Sequence, residues 1–169
     1  RKRGAGVLTL SGTHSYTGST VIEAGTLTGT PTLASAVNVG NGNLAVPPSG
    51  VFSFSGALTF SGTGRIVCEM NSTAAIGQIT CGAPLASAGA VNVTLNSPGS
   101  TVNFTDSYWS TMRTWPLVSA PSRSANFTLG TVTADAGGRA SSAYGTFSIQ
   151  NNATGIALAW LPLGLTADD

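Results

Sequence analysis

Charge is the scarcest thing in this 169-residue chain: 8% of its residues are Asp, Glu, Lys or Arg, where an average soluble domain carries roughly 25%. The one lysine is Lys2 and the one histidine is His14, and cysteine is limited to Cys68 and Cys81. Between residues 4 and 167 the only charged side chains are Arg65, Arg113, Arg123, Arg139, Glu23, Glu69, Asp106 and Asp135. So little positive charge argues against a nucleic-acid binder, since Arg1-Lys2-Arg3 is backed by no other basic patch. Neither a CxxC pair nor a histidine cluster is present, which excludes the usual zinc sites, and no cofactor motif occurs. Long apolar runs are also missing. Residues 24–64 hold no charge, yet Gly, Pro, Ser and Thr interrupt them too often for a membrane span. Aromatics are few and form no paired girdle, which speaks against a transmembrane barrel. Arg1-Lys2-Arg3 leads into GAGVLTLSG rather than an apolar signal core, so the chain reads as a mature form or a fragment.

Small hydroxyl residues and glycine fill the gap. Ser, Thr, Gly and Asn together make 44% of the chain, while hydrophobic residues still reach 41%, enough to build a core. Helical periodicity is absent and β-branched residues dominate between glycines. Short alternating runs recur instead: Leu8/Leu10, Val37/Val39, Phe52/Phe54, Leu58/Phe60, Ile66/Cys68/Met70, Val91/Val93/Leu95, Val102/Phe104, Phe127/Leu129, Phe147/Ile149 and Ile156/Leu158/Trp160. Turn residues punctuate them about every ten positions, as all-β folds require. The class is all-β, in one domain over 1–169. A β-solenoid (β-helix) of short strands fits best, because outward Thr and Ser form hydroxyl ladders between stacked coils and low charge avoids repulsion between them. The alternative is a β-sandwich with strand exchange.

Cys68 and Cys81 are separated by 12 residues. In an oxidising compartment they are expected to form a disulfide worth about 3 kcal/mol; the competing reading is two buried thiols. Four scattered internal acids offer no local carboxylate pair; Asp106 and Asp135 could meet only across coils. His14 sits alone in a loop. Five Asn-x-Ser/Thr sequons, at Asn71, Asn92, Asn103, Asn126 and Asn152, follow largely from the composition. One stretch is rich in aromatics. Tyr108, Trp109 and Trp115 beside Arg113 read either as a sugar-stacking platform for surface glycans or as the packing that caps a solenoid.

The first coil carries a sharper signal. Gly4, Leu8-Thr9-Leu10-Ser11-Gly12, Tyr16-Thr17-Gly18, Thr20, Ile22 and Gly25-Thr26-Leu27 resemble the autotransporter-associated β-strand repeat of bacterial surface-protein passengers. The resemblance marks 4–29 as a repeat motif, 30–162 as solenoid coils with a closing hairpin, and 163–169 as a tail. It implies a right-handed β-solenoid, exported from a bacterium and displayed extracellularly at the cell surface, and it implies no catalytic residues. The tandem copies and translocator barrel usual in the family are missing, which fits a terminal piece or a subunit that gains neighbours by assembly.

The expected function is that of a non-enzymatic structural protein that self-assembles into filaments. Its basic end (Arg1, Lys2, Arg3) and acidic end (Asp168, Asp169) suggest head-to-tail homopolymer contacts, with Val7, Leu8 and Leu10 adding a strand to a neighbour. A carbohydrate-binding adhesin and, more remotely, a polysaccharide lyase or hydrolase are the alternatives.

Overall fold

A computed structural model describes residues 1–70, 75–94, 102–133 and 141–164. The chain winds as a β-solenoid of about 4 turns. β1 (Val7–His14) and β2 (Thr20–Ile22) make the first coil, and β3 (Thr26–Leu33) and β4 (Val37–Val39) the second. The third holds β5 (Asn43–Val46), β6 (Val51–Phe54) and β7 (Leu58–Phe60), and the fourth β8 (Arg65–Glu69) and β9 (Gln78–Cys81). β10 (Gly89–Thr94), β11 (Arg113–Ser119) and β12 (Phe127–Val132) follow, and β13 (Gly145–Asn152) and β14 (Gly155–Pro162) complete the fold.

Pairing between coils is parallel from β1 to β12. Parallel neighbours cannot be joined by a tight hairpin; each needs the chain to travel round and return. That decides for the solenoid over a sandwich of antiparallel hairpins. One long sheet carries β1 and most of the strands, and a short sheet of β2, β4 and β7 forms another wall. β3 spans a whole side of its coil, pairing β5 through Thr26 and Leu27 and β6 through Thr32 and Leu33. In the next coil Pro47 and Pro48 split that side in two. Proline has no N–H to give the ladder, and the Pro47 carbonyl instead accepts from Gly50 N at 2.9 Å in a turn.

Alternation places one residue in two inside, and the register stacks these residues into columns. Leu27, Leu44, Ile66 and Val91 form one column. Phe52, Ile79, Val118 and Ile156 form a second, and every member of both is buried. Ile22 and Val39, with Val37 and Leu58, line the opposite wall. Polar ladders tie the corners: Tyr16 Oη bonds Thr20 Oγ1 (2.8 Å), which bonds Ser35 Oγ (3.3 Å) one coil on. Asn38 accepts from Ser61 Oγ, and Asn92 Oδ1 accepts from Thr131 N at 2.9 Å.

The expected strand at Val102/Phe104 does not form. Asn103 folds that segment into a turn, its amide donating to Asp106 Oδ1 and its oxygen accepting from Thr105, while Asp106 N bonds the Asn103 carbonyl. Local side-chain bonds of this kind compete with the ladder. Both apolar residues are nonetheless buried.

Candidate functional site

Repeated coils give their walls little individuality, so the distinctive chemistry lies at the two ends of the solenoid. At the N-terminal end Lys2 is buried, although a lone lysine in a basic triplet reads as solvated. Its backbone bridges Ile22, which turns the side chain inward. Lys2 Nζ donates to the carbonyls of Arg3 (3.1 Å), Gly4 (2.6 Å) and Ala24 (3.0 Å). An ammonium has three protons and no acceptor, so the cage uses its full capacity. Arg1 and Arg3 both turn to Glu23, at 2.9 Å and 2.6 Å, and hydrogen bonding and charge from them, Arg3 foremost, lower the Glu23 carboxyl below its ordinary value. The basic triplet expected to face a neighbouring subunit is thus engaged with its own second coil.

Apolar residues beside it remain open. Val7 is 69% exposed and Leu8 40%. Leu8, Leu10 and Leu27, with Tyr16 and Thr20, line a cleft of about 400 Å3. Among the described residues β1 pairs with β3 alone, so its other edge carries unpaired backbone groups.

The far end is built differently. The hairpin of β13 and β14 lies antiparallel across it, with β14 also antiparallel to β11. The Asn151 side chain imitates a further coil, its Oδ1 accepting from Phe127 N (2.8 Å) and its Nδ2 donating to Phe127 O (3.1 Å). Arg123 Nε donates to the Asn152 carbonyl at 2.6 Å and anchors the hairpin turn.

Beneath the hairpin lies the aromatic cluster. Trp109 is 3% exposed, too deeply buried to stack on a sugar. Its ring meets Phe104, Phe147 and Trp160, and its carbonyl accepts from Trp160 Nε1 at 2.9 Å. Trp115 is half-buried against Trp109. Tyr108 keeps partial exposure, but the Arg113 guanidinium covers its ring at 4.1 Å. The three aromatics therefore do not form an open platform.

The expected Cys68–Cys81 disulfide is absent: both are free thiols. Cys68 pairs Val46 in one column and Cys81 pairs Phe54 in another, each facing the core in its own half of the coil. Burial pushes both thiols up to about 12, with the Glu69 charge adding at Cys68. Native protein is expected to resist alkylation at pH 8, two thiols becoming reactive only on unfolding. Mass spectrometry after iodoacetamide checks this, and a mass lower by two hydrogens in the untreated protein would refute it.

Among the described residues the acids do not gather. Glu23 is at the N-terminal end, Glu69 is half-buried on β8 with its carboxyl raised by desolvation, and Asp106 is held by Asn103. Among the described residues no cluster of His, Cys, Asp and Glu could hold a metal ion. His14 bonds the Ser11 carbonyl in its own loop. Asp135, Arg139, Asn71, Asp168 and Asp169 lie outside the described residues.

The first coil, with its caged lysine and open strand edge, also carries the family signal. Residues 1–28 match the family model of the passenger-associated-transport-repeat. No curated protein and no solved structure matches the chain. The passenger repeat covers β1 and β2 and runs into β3, so its boundary falls within the β1–β3 pairing. Within it Gly25 sits where a Cβ would strike the carbonyls of Gly4 and Gly6, and Leu27 is buried.

Proposed function

We propose that the chain is a non-enzymatic structural segment of an exported bacterial surface protein, extending a β-solenoid rod and self-assembling into filaments. The observation that carries this is the coil-on-coil ladder: backbone bonds and apolar columns run from coil to coil and, among the described residues, leave one edge of β1 unpaired. The passenger repeat supports an extracellular, surface-displayed setting. Among the described residues the acids Glu23, Glu69 and Asp106 lie in different parts of the chain, each bonded or half-buried, which supports a mechanical role over catalysis.

At high concentration and low salt, purified protein is expected to form rods of constant width in negative-stain images. A monodisperse monomer under those conditions would overturn the filament reading.

A further inference from the structure

We propose that the N-terminal face docks a second copy of this chain, β1 pairing in parallel with β13 of the neighbour so that the solenoid continues from one molecule to the next. This rests on the self-assembly reading and specifies its surfaces. Three observations converge on it. First, among the described residues β1 and β13 each pair with a single strand, β3 and β14 respectively, and each is 8 residues long, whereas the other end strand of the sheet, β12, has 6 residues and its Phe127 backbone is already bonded by the Asn151 side chain. Second, their directions agree. β1 runs parallel to β3, β6, β9 and β11, and two antiparallel steps, β11 to β14 and β14 to β13, restore that direction. A neighbour's β13 therefore presents to β1 the same polarity that β1 presents to β3. Neither β13 nor β14 carries a charged residue, so the positive N-terminal end meets no like charge there.

Third, the corner glycines record where a coil belongs. Gly25, Gly42 and Gly64 each precede a strand at the same register position. A Cβ on Gly25 would strike the carbonyls of Gly4 and Gly6; on Gly42, the carbonyl of Gly25; on Gly64, the carbonyl of Gly42. Each is kept bare by the coil on its N-terminal side. Gly6 heads this column, preceding Val7 as Gly25 precedes Thr26, and a Cβ there meets nothing within 4 Å. The exposed Val7 and Leu8 and the cleft over Leu10 and Leu27 mark the same face, continuous with the existing β1–β3 interface.

Gly6→Val separates docking from folding. Gly6 is exposed and its φ is not in the positive range, so the melting temperature should stay within about 2 °C of wild type. Sedimentation velocity and negative stain should show assembly requiring at least tenfold more protein. Assembly at the wild-type concentration would overturn this docking face and leave the filament reading standing. A wild-type chain that never assembles would overturn both. Stabilisation by an N-terminal extension copying residues 4–29, without self-assembly, would assign the face to a preceding coil of the same chain and overturn docking by a second copy. Should Gly6→Val melt lower, Val7→Lys, at a 69% exposed position, supplies the same comparison.

Discussion

Trp160→Ala is expected to destabilise the protein by about 3–5 kcal/mol, the range for deleting a large buried aromatic. Trp160 is 1% exposed on β14, the strand that joins β11 to β13. Its ring stacks on Phe104 at 5.1 Å and meets Phe147 at 4.9 Å and Trp109 at 5.2 Å. Removing it opens a cavity among rings that other parts of the fold hold in place, so little collapse can refill the space. It also deprives the Trp109 carbonyl of its donor, a buried acceptor whose desolvation then goes uncompensated. Trp160→Phe retains most of the packing and loses the bond, and should cost clearly less. Urea unfolding followed by tryptophan fluorescence gives the difference. A loss below about 1 kcal/mol for Trp160→Ala, no more than an average point mutation costs, would mean the cluster is not the structural plug of this end.

The burial of Trp160 illustrates what the sequence discloses and what it withholds. Alternation at Ile156, Leu158 and Trp160 identifies a strand and its inward face, because a strand's side chains alternate whatever surrounds them. The same rule reads the columns at Val37, Phe52 and Ile66, and with the turn spacing it suffices for the all-β class, while the choice of solenoid over sandwich rests on parallel pairing between distant strands. Trp109 escapes it. Its burial depends on Phe147 and Trp160, which arrive much later in the chain, and an aromatic-rich loop looks alike whether it faces sugar or core. The cysteines fail for a related reason. Their 12-residue separation is compatible with a bridge, but the Pro47–Gly50 break sends β8 and β9 to different columns, and that break lies in the preceding coil. Lys2 was the least legible residue of the candidate site. A long cationic side chain is normally solvated, and two of its three carbonyl partners lie beside it, but Ala24 is brought up only by the return of the coil. Coil-to-coil contacts carry the site, and their sequence interval varies too much for local pattern to reveal them.

Gly25 and Gly6 occupy the same place in successive coils, and the same substitution should have opposite consequences. Gly25→Ala is expected to cost about 2–4 kcal/mol. Gly25 has φ +69°, a left-handed conformation that is costly for any residue with a Cβ. The added methyl would also strike the Gly4 and Gly6 carbonyls and lie 2.6 Å from Lys2 Nζ. The ammonium must then leave part of its cage, and hydrogen bonds to charged groups are worth about 1.5–3 kcal/mol each. Lys2→Met tests the cage separately, keeping the apolar stem while stranding the carbonyls of Gly4 and Ala24; it should destabilise less than Gly25→Ala, because the backbone is not forced. At Gly6 an alanine meets open space and an ordinary φ, so unfolding should be unchanged. Thermal melts of the two alanine variants side by side decide the matter. Equal melting temperatures would mean that the first coil does not press on the second, and the stacking that explains the glycine at position 25 would be wrong.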